Sequence, residues 1–320
     1  MEPAIGRSVR EGLRAASRGW AGVGIYAGCW VLGIAFTAAP VVFTNFPTEI
    51  LQEPTVAQPQ PAIPQEAPAE APAAVDPLDA QRQQDAQRDR AFSEWLGRAW
   101  PVLLLSFAFW LVVTVWLNGG QIGYLAALVR EQQSRLSEFW TTGKRALGAL
   151  LGVSGLSFLG IGGVALLFGL IIAAPAAAGA SPGPLLAVML FVAVIAFLVG
   201  MVWLGVRLAF WPLAVVIDRR GPIAGFASTF RATRGRWMQL FVLMVLFGLM
   251  GFGLWLVGAL LEVAGRAVGG PVEVGIAIVS ALALLTANLY LGFATLAALI
   301  RFYEDTKSIV PSGIGTVPNA

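Results

Sequence analysis

The chain has 320 residues, of which 57% are hydrophobic and 12% are charged. Because soluble domains carry about 25% charged residues, this composition excludes an ordinary soluble fold and indicates a membrane protein. There is no histidine and a single cysteine, Cys29, which excludes histidine-based catalysis, an intrachain disulfide and a cysteine metal cluster. The formal net charge of +3 is too small to indicate nucleic-acid binding.

Six apolar stretches are long enough to cross a bilayer. A hydrocarbon core needs roughly 20 mostly apolar residues of helix, and a helix satisfies its own backbone hydrogen bonds there. We therefore predict an all-α integral membrane protein with six transmembrane helices. They cover residues 20–43, 96–129, 146–174, 185–217, 240–264 and 274–303.

A basic amphipathic segment, residues 1–19, precedes the first predicted span. This span also resembles a secretory signal, because the residues from Thr37 to Ala39 match a small-residue cleavage site. The apolar run nevertheless continues to Phe43, which favours a span that is retained.

Residues 44–95 form a polar insert that is rich in proline, alanine and glutamine. Proline favours extended backbone, and the few apolar residues are too sparse for a core, so we predict an external, disordered, acidic insert. Its last part, from Gln81 to Trp95, lacks proline and is typical of a short helix leading into the second span. The insert is either a spacer or a tether to a periplasmic partner, and we favour the spacer.

Charge alternates between the loops. The loops 130–145 and 218–239 are basic and amphipathic, whereas 175–184 carries no charge. Since Lys and Arg accumulate on the cytoplasmic side, the sequence predicts a multi-pass protein of a prokaryotic cytoplasmic (inner) membrane with both termini in the cytoplasm. The loop 265–273 is then external, and residues 304–320 form a cytoplasmic tail.

A similar basic segment precedes each odd-numbered span. Those from Ser8 to Trp20 and from Ile223 to Trp237 end at a tryptophan after several arginines. Residues 136–147 are also basic. The pattern favours three repeats, each an amphipathic helix followed by two transmembrane helices. The alternative is that any cytoplasmic loop entering a span is basic and ends in an aromatic residue.

Arg207 lies inside the fourth predicted span, where a charge costs roughly 2.5 kcal/mol. Trp203 and Trp211 flank it at helical spacing, which predicts that both indoles contact the guanidinium. Pro212 leaves a nearby carbonyl without its helical donor. These four residues form either a site for an anion or lipid phosphate, or a structural arginine that reaches the headgroups. We favour the structural role.

The loop after the fourth span contains a second candidate site. Ile223 and Phe226 fall on one face of a predicted amphipathic helix that lies along the inner membrane surface. We expect Arg231, Arg234 and Arg236 to contact anionic lipids there.

A third candidate is a break in the second span. In one interpretation, Asn118, Gly119 and Gly120 interrupt that helix, as in the discontinuous helices of transporters. The alternative, which we favour, is that these glycines serve helix packing.

The most specific pattern is an arginine and a proline at the end of a span, followed by an acidic residue, a glycine and a short helix. It consists here of Arg207, Pro212, Asp218, Gly221 and Ser228. The arrangement resembles a group of prokaryotic multi-span proteins, namely the glycerophosphoryl diester phosphodiesterase membrane domain and the UPF0259 and DUF975 families. Members with phosphodiesterase activity carry it in a separate soluble domain with catalytic acids and a histidine. The resemblance therefore implies a membrane module and not a catalyst.

The sequence offers no energy source or catalytic group for a more specific activity. It has no phosphate-binding loop and no acidic residue deep within a span. We expect a non-enzymatic inner-membrane protein without a cofactor, most simply a structural or assembly factor with a membrane-protein partner. The alternatives are a passive or partner-driven permease and a protein that binds or handles anionic lipids.

Overall fold

The computed structural model describes residues 4–43, 77–131, 135–177 and 183–307, and all regular structure in these ranges is helical. The helices, in chain order, are α1 (Ala4–Arg18), α2 (Trp20–Phe43), α3 (Pro77–Glu131), α4 (Leu136–Ala177), α5 (Pro184–Leu208), α6 (Trp211–Ile217), α7 (Pro222–Ala232), α8 (Trp237–Val268) and α9 (Gly270–Lys307). The predicted tail beyond 307 and residues 178–182 of the predicted loop 175–184 lie outside these ranges.

Five helical segments have the length and composition of membrane spans. They are Gln81–Glu131, Leu136–Leu170, Ala187–Ile217, Trp237–Val268 and Val272–Lys307. The predicted first span coincides in its bounds with α2. The apolar segment Trp20–Gly33 of α2 is not among these five. The structure thus agrees with an all-α membrane protein, whereas the sixth span stays a prediction.

The start of α3 corrects the predicted insert. Pro77 is its first residue, a position where the missing N–H costs nothing because it would lack a helical acceptor anyway. The next proline is Pro101, and the intervening alanines, glutamines and arginines are good helix formers. Predicted disorder is therefore wrong for residues 77–80, and the short helix predicted from Gln81 to Trp95 is continuous with the second span. Residues 44–76 lie outside the described ranges.

The chain divides into two compact units. One comprises Met1–Gly28 with Val112–Ala320, and the other comprises Cys29–Leu111. Within the second unit, Trp110 lies directly over Gly33, and a methyl group at residue 33 would overlap the indole. All the sites described below belong to the first unit.

Packing in the first unit is concentrated toward one end of its helices. We call this the basic end, because Arg130, Arg219 and Lys307 lie there. Side chains buried at this end include Phe139, Phe210, Phe302, Leu125, Leu213 and Leu240. Toward the opposite ends, large apolar side chains are exposed, including Phe158, Phe191, Trp255 and Val279. Contiguous exposed apolar surface of this kind marks a membrane or protein interface.

Helix α1 packs along the last turns of α9 through small residues. Ser8, Gly12 and Ala16 are buried on the α1 side. A methyl group built on Gly12 would lie 2.5 Å from the carbonyl oxygen of Ala294 and 2.8 Å from Cβ of Ala298. Only glycine allows this separation, so α1 is a packed element of the unit.

Helix α3 is continuous through Asn118, Gly119 and Gly120, so the candidate break is absent and the favoured alternative of helix packing agrees with the structure. The glycines bring α3 close to α4 instead. A methyl group on Gly120 would lie 2.7 Å from the carbonyl oxygen of Phe139, and one on Gly143 would lie 2.8 Å from that of Trp116. Close approach through small residues is the usual packing of membrane helices.

Helix α4 begins at Leu136 and continues without interruption to Ala177. The basic segment predicted as a separate amphipathic element at 130–145 is therefore largely the first part of a long helix. In contrast, α1 and α7 are separate from α2 and α8, so the predicted threefold repeat is not confirmed. Residues 136–145 contain no proline that would interrupt α4.

The connection between α8 and α9 is shorter than the predicted loop 265–273. Gly269 is the single residue between the helices, with a φ of 70° that strongly favours glycine. Gly270 follows with a φ of 65°. These two glycines allow an abrupt reversal, and the helices extend through most of the predicted loop.

Candidate functional site

The fourth predicted span is interrupted between α5 and α6, at Ala209 and Phe210. Pro212 stands in the first turn of α6, so Leu208 has no N–H donor four residues ahead. Phe210 is fully buried, with its ring centroid 5.1 Å from that of Tyr303. The break is thus fixed both by proline and by packing against α9.

Trp211 holds α7 against the break. Its indole N–H donates to the carbonyl oxygen of Pro222 across 2.7 Å. Its ring also meets that of Phe226 edge to face, at a centroid distance of 5.2 Å. Gly225 lies beneath the side chains of Trp211 and Val215, where a methyl group would come within 2.8 Å of Val215.

Arg207, at the end of α5, reaches the last turn of α7. Its Nη1 donates to the carbonyl oxygen of Phe230 and to Oγ1 of Thr233, both at 3.4 Å. A cation at a helix carboxyl terminus is stabilised by the partial negative charge of the carbonyls. The Nε atom of Arg207 is buried and has no hydrogen-bond partner within the described ranges.

Two aromatic rings flank the guanidinium. The Cζ atom of Arg207 lies 5.0 Å from the ring centroid of Trp203 and 5.7 Å from that of Phe230. The contact with Trp203 follows the predicted helical spacing. The predicted contact with Trp211 is wrong, because the chain leaves the α5 helix before residue 211 and turns that indole toward α7.

Helix α7 buries its small polar face and exposes its apolar face. Gly225, Ser228 and Thr229 are buried, whereas Ile223 is 76% exposed and Phe226 is also exposed. This is the reverse of a soluble amphipathic helix and is what contact with a bilayer surface requires. Arg231 and Arg234 are exposed, Arg236 is partly buried, and none of the three forms an ion pair with another described residue.

A small cavity lies beside the break. Its volume is about 220 Å³, and it is lined by Asn118 of α3, Ser154 of α4 and Pro212 of α6, among mostly apolar residues. Asn118 was part of the candidate break in the second span. The structure places it opposite the break that α5 and α6 make.

Asp218 organises the basic end. It accepts a hydrogen bond from the Tyr303 hydroxyl at 2.7 Å, pairs with Lys307, and lies 3.7 Å from Nε of Arg220. The end of α9 also holds α1 and α3. Arg301 lies 3.0 Å from Glu11, and Glu304 pairs with Arg130.

The partners of Arg207 and Asp218 were missed because they are distant in sequence. Thr233 and Tyr303 follow their partners by 26 and 85 positions. No periodicity within one helix relates such residues. The only local indication was the aromatic face of α7, which includes Phe230 and was assigned to lipid contact.

No group of residues in the described ranges could hold a metal ion by the usual ligands. The arrangement is instead that of an all-helical protein with five membrane-length apolar helices and a charged, packed end. The chain belongs to the DUF7847 family, a domain of unknown function, whose sequence profile matches residues 91–306. Searches of curated proteins and of solved structures find no similar chain.

The family match covers about two thirds of the chain. It includes Arg207, Asp218 and Tyr303, and it leaves out α1, α2 and the polar insert. It does not confirm the resemblance to the glycerophosphoryl diester phosphodiesterase membrane domain, UPF0259 and DUF975 group.

Proposed function

We propose that this protein is a non-enzymatic structural or assembly factor of a prokaryotic inner membrane. In this proposal α2 also crosses the membrane, which gives six spans with the five described above. Both termini are cytoplasmic, and the basic end faces the cytoplasm. Lys and Arg accumulate on the cytoplasmic side of membrane proteins, so their presence at the basic end supports this orientation. The assembly role rests on one observation, the open flank of α5.

The most apolar 18 residues of the segment Ala187–Ile217 contain no buried residue. On the α4 side, α5 makes a contact through the stacked rings of Phe168 and Phe197, 4.5 Å apart. Elsewhere, Ala196 and Gly200 are exposed four residues apart on one helical face. This small-residue spacing lets membrane helices approach closely. A partner's transmembrane helix fits this flank.

The test uses Gly200→Ile, because nothing lies within 4 Å of a methyl group at that residue. The substitution should leave the thermal unfolding temperature of the protein unchanged. We expect the wild type, extracted from its own membranes in mild detergent, to migrate with one membrane protein in fixed stoichiometry. Gly200→Ile should reduce the recovered partner about tenfold.

Gly292→Ile on α9 is the matched control, because Gly292 is also exposed and has open space around it. It should retain the partner. The assembly role is wrong if the extracted wild type carries no stoichiometric protein, or if Gly200→Ile retains the partner as fully as Gly292→Ile does.

A second candidate, a passive or partner-driven permease, is favoured by the break and its cavity. Discontinuous helices beside a polar cavity form the substrate sites of many transporters. The cavity of about 220 Å³ holds the polar side chains of Asn118 and Ser154. Proteoliposomes should then take up a small neutral solute such as urea faster than empty liposomes, and Asn118→Leu should remove most of that excess. Equal rates with and without protein would exclude this function.

A further inference from the structure

A second polar cavity, of about 290 Å³, opens at the basic end among α3, α4 and α6. Its charged lining comes from Arg130 and Glu131 of α3, Glu138 and Arg145 of α4, and Arg219 after α6. The volume lies at the lower limit of small-molecule sites, about 300 Å³. Three separate elements therefore place charges of both signs around a space suited to a small ligand.

Two of the arginines are uncommitted. Arg130 pairs with Glu304, but Arg145 and Arg219 have no ion pair or hydrogen bond with any other described residue. Arg219 also has a φ of 55°, which is uncommon for a residue with a side chain. Guanidinium groups bind phosphate and carboxylate oxygens strongly, often through two hydrogen bonds. The cavity thus offers two free donors for an anionic group.

Glu138, unlike the two arginines, offers a hydrogen-bond acceptor. Its Oε2 atom is buried and has no hydrogen-bond donor among the residues that the structure describes. Buried polar atoms without a partner are rare in folded proteins and call for an explanation such as an absent ligand. Because Glu138 lies more than 4 Å from the arginine nitrogens of the cavity, those arginines do not supply the donor. Because this oxygen is closed to solvent, a ligand N–H group satisfies it only when the carboxylate turns toward the cavity that Glu138 lines.

We propose that this cavity binds a small zwitterion that carries a phosphate group and a primary ammonium group, the phosphate between Arg145 and Arg219 and the ammonium at Glu138. A simple anion would leave Glu138 unpaired, and a simple cation would be repelled by the two guanidiniums. The chemistry is that of a phosphoethanolamine group, whether free or as the headgroup of a phospholipid. The proposal does not depend on the assembly role.

The full-length protein, delipidated in detergent, is tested by native mass spectrometry against three lipids with matched acyl chains. Phosphatidylethanolamine should be retained at least tenfold more than phosphatidylcholine, whose quaternary ammonium has no N–H to donate. It should equally exceed phosphatidylglycerol, which has the phosphate and no ammonium. If all three lipids bind and are retained to the same extent, the proposal is overturned.

Substitutions assign the site. Arg145→Gln and Arg219→Gln should each lower phosphatidylethanolamine retention about tenfold, and Glu138→Gln should remove its preference over phosphatidylcholine. Arg14→Gln is the control, because Arg14 is an exposed arginine on α1 that does not line the cavity and is not among the predicted lipid contacts. Since Arg145 and Arg219 are exposed, their variants should unfold at the wild-type temperature. Wild-type retention and preference in all three cavity variants would overturn the proposal.

A soluble probe separates the two sources of the ligand. Free O-phosphoethanolamine is titrated into the lipid-free protein by calorimetry and added as a competitor in the lipid experiment. If O-phosphoethanolamine binds and displaces the lipid, the site recognises the headgroup chemistry alone, in keeping with a free metabolite. Retention of the lipid with no effect of the soluble probe assigns the site to a phospholipid. Failure of both the soluble probe and the lipid to bind would overturn the proposal.

Discussion

The hydroxyl of Tyr303 donates to Oδ2 of Asp218 across 2.7 Å and joins the end of α9 to the end of α6. The Asp218 carboxylate also pairs with Lys307, although its side chain is only 14% exposed. Helix α9 also carries Arg301 and Glu304, which pair with α1 and α3. Its last turns therefore connect α1, α3 and the residue that follows α6. Asp218 holds the loop that leads to α7 in this assembly.

We expect Asp218→Asn to lower the free energy of unfolding by about 2 kcal/mol, because hydrogen bonds to a charged group contribute about 1.5–3 kcal/mol. Tyr303→Phe removes one donor to this carboxylate and leaves Lys307 in place, so it should cost less, about 1.5 kcal/mol. Thermal unfolding in mild detergent, followed by circular dichroism, measures both. An Asp218→Asn variant as stable as Tyr303→Phe would contradict the central role of the carboxylate.

Gly12→Ala should destabilise the protein by about 1–3 kcal/mol, the usual cost of overpacking. The added methyl would lie 2.5 Å from the carbonyl oxygen of Ala294, so α1 must move away from α9. Alanine is by itself the better helix former by about 1 kcal/mol. Gly24→Ala is the control, because a methyl there meets nothing within 4 Å. Equal effects of the two substitutions on the unfolding temperature would refute close packing of α1.

The sequence predicts features that depend on one continuous segment better than features that depend on contacts between helices. Apolar length and composition predicted the segments around α8 and α9, because a bilayer crossing requires a long apolar run whatever its neighbours are. Helical spacing likewise predicted that Trp203 contacts Arg207. Both are properties of one continuous segment.

The errors and the alternatives left open concern properties that depend on neighbouring helices. A Gly-Gly pair in a membrane helix is compatible with a break or with close packing, and the choice at Gly119 and Gly120 is made by α4 across the interface. The real break at Phe210 depends on the rings of Phe302 and Tyr303 on α9. A single sequence does not show which distant residues meet, so the partners of Arg207 and Asp218 were missed.

Arg207→Ala should lower the free energy of unfolding by about 2 kcal/mol, because it removes a cation from the end of α7 and from two aromatic rings. Arg207→Lys keeps the charge but loses the planar group that spans Phe230 and Thr233, so it should lie between wild type and alanine. Arg231→Ala, at an exposed position, should change stability by less than about 0.5 kcal/mol.

The Arg207→Ala variant also decides between the structural role of Arg207 and a lipid-phosphate site. Native mass spectrometry under mild activation records the anionic lipids that copurify. We expect Arg207→Ala to retain them at the wild-type level, since its guanidinium already contacts the α7 backbone. Loss of a bound anionic lipid in Arg207→Ala, with retention in Arg14→Ala at an exposed position of α1, would instead assign the buried Nε atom to lipid binding.

The outward apolar face of α7 gives the last prediction, which concerns its position at the membrane surface. A spin label on Ile223→Cys, in a Cys29→Ala background and in liposomes, should collide with dissolved oxygen more often than with a water-soluble nickel reagent. Oxygen is enriched in the apolar region that Ile223, 76% exposed, would enter. A label on Arg231→Cys, at an exposed basic position of the same helix, should favour the nickel reagent. Equal nickel accessibility at residues 223 and 231 would show that α7 lies in water and not in the interface.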